Sequence, residues 1–406
     1  MNQAAATVLD SSLYGQLVDF RRDLHRHPEL SWQETRTAGK VCQFLGQIGV
    51  AYRRDIAGTG IIADIPGQHA GAYIALRADM DALPVIEETG LPFASETEGV
   101  MHACGHDGHS AMLLGAAALL TADSDLPAPV RLIFQPAEET GEGALAMIEA
   151  GALDNVGVVF GGHVDRHFPV GSIAITDGAV NASSDRFSVR ITGKGGHAAR
   201  PHETIDAVVV GSLMVMALQT IVSREVNPAH PSVVTVGRFD AGTAANVIAG
   251  QAHLQGSIRA QDQDVREDLH RSIERIATSI AHLHGASIEV EISQGTPAVI
   301  NCPECTDLAR RAAAIAVGSD SIRQMETANM GGEDFGYYLE NVPGCYVRFG
   351  TAREGIEQYA AHSSKFDFDE EAIAVGAAYL YAMARTAGES IRRTDFQSAL
   401  SAETTN

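Results

Sequence analysis

The chain of 406 residues has few cysteines and few basic residues, and each shortage excludes a class of protein. Its five cysteines are an odd number scattered from Cys42 to Cys345, which excludes a disulfide framework and predicts reduced thiols. Its 29 basic residues are outnumbered by 51 acidic ones. The resulting net charge of −22 opposes binding to nucleic acid or to an anionic membrane surface.

Targeting and membrane signals are also missing. Met1–Ser12 lacks the basic start and the continuous apolar core of a signal peptide, and we expect no later apolar run to be long enough to cross a bilayer. These absences predict a cytoplasmic protein. The residues that are present, 45% apolar and 20% charged, are typical of a globular chain, and the length exceeds the size of a usual single core, which predicts two domains.

The densest group of reactive side chains is the stretch 101–110, which reads MHACGHDGHS. Thiolate and neutral imidazole are ligands that zinc and similar ions prefer, and Cys104 and His106 can reach one ion. Gly105 and Gly108 allow the backbone to fold tightly around them. The alternative is a glycine-rich loop that holds a buried cysteine and solvated histidines.

Several apolar segments that read as strands are each followed by a carboxylate or an imidazole. The predicted strands cover 72–77, 130–134 and 156–160, and the polar residues after them are Asp79, Asp81, Glu138, Glu139 and His163. Open α/β sheets build their sites at the carboxyl ends of strands, so these side chains are expected at one edge of a sheet. The alternative for each residue alone is a solvated strand end.

The pattern changes near residue 185. Strands are predicted at 186–193, 232–239, 248–258 and 286–292, with helices at 204–222 and 265–284. The order β-α-β-β-α-β is that of a ferredoxin-like unit. We therefore predict an α/β protein in which a ferredoxin-like domain, 185–295, is inserted into a mixed-sheet domain formed by 1–184 and 296–390, followed by a loose tail at 391–406.

A pair of cysteines with C-x-x-C spacing lies at Cys302 and Cys305. No second pair accompanies it, and the surrounding sequence is not thioredoxin-like. The sequence alone therefore favours neither a zinc site nor a redox site there.

Taken together, the motifs resemble the M20 metallopeptidase family, in particular the amidohydrolase branch that includes hippurate hydrolases, N-acyl-amino-acid amidohydrolases and indoleacetyl-amino-acid hydrolases. The resemblance extends from residue 24 to residue 362. It is carried by five segments: RADMDALP at 77–84, HACGHD at 102–107, QPAEE at 135–139, GKGGHAARP at 193–201 and GEDF at 332–335.

The resemblance implies a set of metal ligands, namely Cys104, His106, Glu139, His163 and His362. Five donors exceed one tetrahedral site, so two divalent ions per subunit are implied, bridged by the Cys104 thiolate. The ligand types favour zinc, with manganese, cobalt and nickel as alternatives. Asp79 and Asp81 would orient imidazoles from behind, and direct coordination by Asp79 stays open.

The implied activity is hydrolysis of the amide bond in small-molecule N-acyl amino acids. Glu138 would be the general base. His197 of the inserted lid domain would steady the oxyanion in a partner subunit, within a homodimer or a higher homo-oligomer that this domain holds together. Asn246 and Arg259 would hold polar groups of the substrate, and Arg259 suits its carboxylate.

Three other interpretations remain open at this point. The enzyme could be a dipeptidase or carboxypeptidase of the same family, it could bind metal without catalysis, or its inserted domain could serve dimerisation alone. Residues 164–169 carry charges where an aromatic residue is common in the branch, which leaves the acyl group undetermined.

Overall fold

A computed structural model describes residues 9–391 of the chain. Within it the chain forms two compact units, the first from residues up to 180, 300–327 and 334 onward, and the second from 181–299 and 328–333. Both contain helices and sheet, and the expected mixed α/β class is confirmed. The tail expected at 391–406 lies outside the described residues, except for Ile391, which ends the last helix.

The described residues form nine α-helices. In chain order they are Ser11–Arg26 (α1), Thr35–Gln47 (α2), His106–Ala122 (α3), Gly143–Glu149 (α4), Ala207–Thr220 (α5), Gln263–His284 (α6), Pro303–Val317 (α7), Gly336–Asn341 (α8) and Glu371–Ile391 (α9).

The same part of the chain contains sixteen strands. They are Tyr52–Ile56 (β1), Gly60–Ile65 (β2), Tyr73–Asp79 (β3), Val130–Gln135 (β4), Val156–Pro169 (β5), Ile173–Ala174 (β6), Gly178–Asn181 (β7), Asp185–Thr192 (β8), Gly196–His197 (β9), Ser232–Ala241 (β10), Val247–Ile248 (β11), Gln251–Ala260 (β12), Ser287–Ser293 (β13), Val299–Asn301 (β14), Ile322–Arg323 (β15) and Gly344–Ala352 (β16).

The first unit is built on a mixed sheet of eight strands in the order β1-β2-β4-β3-β5-β16-β6-β15. Its centre is parallel: β3 pairs with β4 and with β5, and β5 pairs with β16. All six residues of β4 are buried, because its apolar run is covered on both faces. Helix α9 packs against α3 and α7 over this sheet. The parallel strands therefore end at a common edge.

Two elements differ from the sequence prediction in ways that affect the site. Helix α3 begins at His106, so Gly108 lies inside a helix and not in the tightly folded stretch expected there, because Gly105 turns the chain directly into the helix. Strand β5 continues to Pro169, so His163 lies within the strand and not after its end. The extension is stabilised by pairing with β16, in which Arg348 lies opposite His163. The short apolar run at 156–160 gave no signal of this pairing.

The second unit has a four-stranded antiparallel sheet in the order β10-β12-β8-β13, with α5 and α6 packed on it. The chain order β8-α5-β10-β12-α6-β13 is the predicted β-α-β-β-α-β arrangement. A separate two-stranded antiparallel sheet pairs β9 with β11, which lie about fifty residues apart in the sequence.

One helical segment is more apolar than we expected. Ala207–Glu225, which is α5 and the helical turn after it, is long and apolar enough to cross a membrane by length and composition, although polar residues interrupt its apolar run. Its buried side chains Val210, Met214 and Leu218 belong to the core of the second unit. A core helix passes the same test, so the segment is weak evidence for a membrane span.

A buried carboxylate anchors the start of β8. Asp185 accepts hydrogen bonds from Arg266 at 2.6 and 2.8 Å, from His270 Nε2 at 2.8 Å and from the Gly295 N–H at 2.9 Å. Burial alone would raise its pKa, but the bonds from Arg266 and His270 outweigh burial and lower the pKa of Asp185 to about 2.

We predict that Asp185→Asn lowers the free energy of unfolding by about 3 to 5 kcal/mol, because it leaves a buried guanidinium without its counter-charge. The wild-type advantage should be full above the ordinary aspartate pKa of 3.8 and should shrink as the pH falls towards about 2, since the folded-state pKa is the lower one. Urea unfolding of both proteins across this pH range measures the effect. An advantage that persists unchanged at the lowest pH would contradict it.

Candidate metal centre

The parallel strands bring the predicted polar residues to one edge of the first unit's sheet. Asp79 ends β3 directly opposite Gln135, which ends β4. The chain then continues from β3 to Asp81, and from β4 to Glu138 and Glu139. The same edge therefore carries carboxylates from two adjacent strands.

The turn before α3 places the thiol and the first imidazole. Gly105 has φ of 93°, and a Cβ there would lie 2.5 Å from Val164 Cγ2, so only glycine fits. This turn leaves Cys104 8% exposed and His106 fully buried at the first position of the helix. A compact turn thus points two soft donors inward.

One group of donors consists of Cys104, His106 and His163, whose ligand atoms lie within 4.8 Å of one another. The Cys104 Sγ lies 3.2 Å from His163 Nε2. His163 Nδ1 donates to the Val164 carbonyl at 2.7 Å, and His106 Nδ1 donates to the Asp81 carbonyl at 2.9 Å. Because a carbonyl can only accept, each ring donates through Nδ1, and Nε2 is the atom of each ring that is left for a ligand. Burial lowers the pKa of His106, but the charge of Asp79 and the bond to Asp81 outweigh burial and raise it well above its usual value, so a cation would displace the Nε2 proton on binding.

A second group consists of Cys104, Glu139 and His362, again within 4.8 Å. His362 Nε2 lies 3.4 Å from a Glu139 carboxylate oxygen. The His362 backbone has φ of 69°, and its N–H donates to the Ala103 carbonyl at 2.7 Å, which fixes it beside the cysteine turn. Cys104 belongs to both groups, so its sulfur can bridge two ions.

The residues of this cluster fit divalent cations. His106 Nε2 and Glu139 Oε1 are buried, and neither has a hydrogen-bond partner among residues 9–391. Burial and the Glu139 charge raise the pKa of the Cys104 thiol well above its usual value, so the thiolate needs a cation to form. Burial also lowers the pKa of His163 well below its usual value, which keeps that ring in the neutral, ligating form.

Asp81 holds several members of the cluster in place. One of its oxygens accepts the Glu138 N–H at 3.1 Å, and the other accepts the Glu139 N–H at 3.0 Å. It also accepts the Ser31 hydroxyl at 2.7 Å, and His106 Nδ1 lies 3.2 Å away. The supporting role of Asp81 stays a prediction, and these contacts are the ones that such a role would use.

The turn that carries the two glutamates is strained. Ala137 has φ of 54°, a conformation that costs a non-glycine residue on the order of 1–3 kcal/mol. Glu34 holds this turn by accepting the Ala137 N–H at 2.9 Å, while its other oxygen accepts the Thr59 hydroxyl at 2.6 Å. Residues distant in sequence from Glu138 and Glu139 thus fix the backbone turn that orients these two side chains.

Asp79 has both of its oxygens engaged. One accepts from His109 Nδ1 at 2.7 Å and the other from Arg77 Nη1 at 2.5 Å. His109 Nε2 in turn accepts the Val164 N–H at 3.0 Å, next to His163. Asp79, His106 and His109 also form a donor group within 4.8 Å, so direct coordination by Asp79 stays open. The contacts of Asp79 and His109 connect α3 to β5 beside the candidate ligands.

The three residues that the family resemblance assigns to the substrate lie in the second unit. His197, on β9, pairs with Val247 of β11, and the adjacent Ala198 N–H donates to the Asn246 carbonyl at 3.2 Å. The side chains of His197 and Asn246 are exposed. Arg259, on β12, is half-buried and forms no ion pair with a carboxylate of the described residues, and burial lowers its pKa.

Neither His109 nor Glu34 was predicted from the sequence to support the site. A signal for His109 exists, because it follows His106 by three residues and so lies on the same helix face. Glu34 has no such signal, because its contact with Ala137 spans 103 residues of sequence.

Comparison with known proteins identifies relatives over nearly the whole chain. Residues 75–386 match the model of peptidase family M20/M25/M40. Two relatives are from Bacillus subtilis: a putative amidohydrolase YhaA, 43% identical over 92% of this chain and 95% of its own length, and N-acetyl-L-cysteine deacetylase, 41% identical over 92% and 89%. Thermostable carboxypeptidase 1 of Saccharolobus solfataricus is 40% identical over 89% and 92%.

A solved structure agrees with these matches. The YXEP protein of Bacillus subtilis, described as a dinuclear metal-binding peptidase of the M20 family, is 37% identical with a TM-score of 0.84. The match covers 94% of this chain and all of that one.

We predict that Cys104→Ser lowers the metal content at two positions per subunit, because both donor groups share this sulfur. His163→Asn and His362→Asn should each lower the binding affinity for one of the two ions. The loss should exceed the roughly 10- to 100-fold that removal of a supporting hydrogen-bond partner costs. Inductively coupled plasma mass spectrometry after dialysis against a chelator measures this. Cys302→Ser is the matched control and should retain all metal. Full metal content in Cys104→Ser would show that the sulfur does not bridge.

Proposed function

The chain belongs to the M20 peptidase family, and from that premise we propose that it hydrolyses the amide bond of N-acyl amino acids. Membership makes it a metal-dependent hydrolase of the amidohydrolase and peptidase type. The substrate class is our proposal. It is supported by the relative named N-acetyl-L-cysteine deacetylase, which is 41% identical to this chain.

The observation that carries the proposal is the pair of donor groups that share Cys104, with Glu138 beside them. A Glu138 oxygen lies 3.8 Å from His106 Nε2, and Glu138 also forms a close donor group with His106 and Glu139. We propose two divalent ions per subunit in this cluster. Zinc suits the thiolate and imidazole donors best, and manganese, cobalt or nickel are the alternatives.

The proposed chemistry assigns different roles to the adjacent glutamates. Bound divalent ions would supply Lewis-acid activation of water and of the scissile carbonyl. Glu139 is a ligand, whereas Glu138 accepts a proton from the attacking water and later donates it to the leaving amine. Asp81 holds the two glutamates in different positions, because one of its oxygens accepts the Glu138 N–H and the other accepts the Glu139 N–H.

The second unit would contribute the substrate contacts. We assign His197 to hydrogen bonding with the oxyanion and Asn246 to a polar group of the substrate. Arg259 is assigned to the substrate carboxylate, which its planar guanidinium can bind through two hydrogen bonds. The support for Arg259 is that it is half-buried and lacks a carboxylate partner within the described residues.

A carboxypeptidase or dipeptidase activity is the second candidate, since a relative 40% identical is named a carboxypeptidase. It would use the same cluster but would also need a contact for a free α-ammonium group. A metal-binding protein without catalysis is disfavoured, because binding alone gives no reason for Glu138 at this position.

We also propose that the protein forms a homodimer through the second unit. Helix α5 exposes Val209, Leu213 and Met216, and the edge strand β10 exposes Val233 and Phe239. An apolar face next to an open sheet edge is a surface that a second copy would cover. A cytoplasmic location is proposed as well, because all five cysteines are free thiols.

We predict that Glu138→Gln abolishes hydrolysis of N-acyl amino acids while metal content stays at the wild-type level. The exposed Glu142→Gln, four residues further on, is the matched control and should remain active. The assay uses a matrix of acyl groups and amino acids, free dipeptides, and N-acyl amines that lack the carboxylate. Hydrolysis of dipeptides alone would favour the second candidate, and activity in Glu138→Gln would refute the assignment of the base.

The same assay tests Arg259. Arg259→Lys should raise KM for N-acyl amino acids by about 10-fold or more, since a lysine cannot bind the carboxylate through two parallel hydrogen bonds. It should leave KM for the acyl amines unchanged.

The role of His197 across subunits is tested by mixing two inactive variants. His197→Ala should lower kcat by roughly 100- to 1,000-fold, as loss of an oxyanion donor does. If His197 acts on the partner's site, subunits of Glu138→Gln and His197→Ala that are mixed and allowed to exchange should regain about a quarter of wild-type activity, because about half of the dimers are hybrids with one intact site. No recovery despite hybrid formation would refute action across the interface.

Two substitutions control for assembly. Met216→Glu, on the exposed face of α5, should give monomers by sedimentation analysis, with a loss of kcat similar to that of His197→Ala. Leu283→Glu replaces another exposed apolar residue of the same unit and should remain dimeric and active.

A further inference from the structure

The first unit contains a second group of thiols that the proposed hydrolysis does not use. Cys302, Cys305 and Cys345 lie where α7 begins beside β16. Cys305 and Cys345 are fully buried, whereas Cys302 is partly exposed. The three residues are not among the donor groups that could hold a metal ion within the described chain.

Cys302 is held at the N-terminus of a fifteen-residue helix. It is the N-cap residue of α7, and its sulfur accepts the Cys305 N–H at 3.3 Å. Its carbonyl accepts the Thr306 hydroxyl at 2.7 Å, and its own N–H donates to the Gly344 carbonyl at 3.2 Å. The N–H and the helix dipole favour negative charge on this sulfur, which is the form that reacts with disulfides.

Cys305 is placed to react with the same sulfur. The Cys305 N–H already donates to the Cys302 sulfur at 3.3 Å. The neighbouring Cys302 sulfur and then burial raise the pKa of Cys305 well above its usual value, so Cys302 and not Cys305 is the thiol that attacks first. The Cα atoms of an N-cap residue and the residue three positions later are about 5 to 6 Å apart, which is within the range that a disulfide spans. The two sulfurs can therefore be joined without moving the backbone far.

We propose that Cys302 and Cys305 form a dithiol–disulfide couple that is modified by low-molecular-weight disulfides. The Cys302 thiolate attacks one sulfur of the small disulfide, expels one thiolate and forms a mixed disulfide. Cys305 then loses its proton to that thiolate and attacks the Cys302 sulfur, which expels the second small-molecule thiolate. This thiolate takes up from water the proton that Cys302 lost before the first step. The two cysteines are oxidised by two electrons, and the small disulfide is reduced to two thiols.

The couple reacts before the thiol of the metal cluster. Cys104 is 8% exposed and enclosed by the donor groups, whereas Cys302 is partly open to solvent. The bond would form directly after β14, at the point where the chain returns to the first unit near residue 300. This site is independent of the proposed hydrolytic function.

The test uses the metal-loaded full-length protein and glutathione disulfide as the probe. After reaction, free thiols are alkylated, and intact mass and peptide mapping locate the modified cysteines. The wild type should lose two alkylatable thiols, keep no glutathione and yield a peptide with a Cys302–Cys305 disulfide that dithiothreitol reverses. Modification of Cys104 or Cys42 ahead of this pair would overturn the proposal.

Variants separate the two steps. Cys305→Ser cannot resolve the first adduct, so it should retain one glutathione on Cys302. Cys302→Ser should form neither the adduct nor the disulfide, because Cys305 is buried. Cys42→Ser is the control and should behave as the wild type. If Cys305→Ser takes up no glutathione, Cys302 is not the attacking thiol, and if Cys305→Ser fails to fold, the wild-type map and Cys302→Ser decide the question.

Discussion

The sulfur of Cys104 imposes the main geometric constraint on the first unit, because two groups of donors must both reach it. One group contains His106 and His163, and the other contains Glu139 and His362. These donors come from a helix N-terminus, a central strand and two turns. The local backbone accepts unusual conformations to satisfy this requirement, with left-handed φ at Gly105 and His362.

Buried carboxylates behind the candidate ligands hold these donors in position around Cys104. Asp81 fixes the two glutamates, and Asp79 fixes His109 and, through it, the β5 backbone next to His163. Arg77 connects this layer to Asp334 at 2.8 Å. Most of these side chains are already saturated with partners, whereas His106 Nε2 and Glu139 Oε1 have none among the described residues. The buried polar atoms behind the cluster have hydrogen-bond partners, whereas these two atoms within it do not. This contrast indicates that the cluster is arranged to bind cations.

The two units divide the remaining work. The first unit holds all donors of the metal cluster and Glu138, and the second holds His197, Asn246 and Arg259. Each unit has its own core, so the candidate metal ligands and the residues proposed for substrate contacts belong to different units of the chain. The Cys302–Cys305 pair is a third feature, built on the cap of α7 and chemically distinct from both.

Much of this was determined by the sequence. The predicted family, α/β class and hydrolase class are confirmed. They could be predicted because dense motifs such as HACGHD and strong apolar periodicity are local features of the sequence. The positions of strand ends were less reliable: His163 lies within β5, because pairing with β16 extends that strand beyond its apolar run.

The sequence by itself determined which residue types are available for metal chemistry and the order of the elements that carry them. Only the tertiary structure decided that Cys104 is shared, that Asp79 is saturated by Arg77 and His109, and that Glu34 holds the turn before Glu138. The reason is physical: each of these facts depends on contacts between segments distant in sequence, and such contacts form only when the sheet brings those segments to one edge.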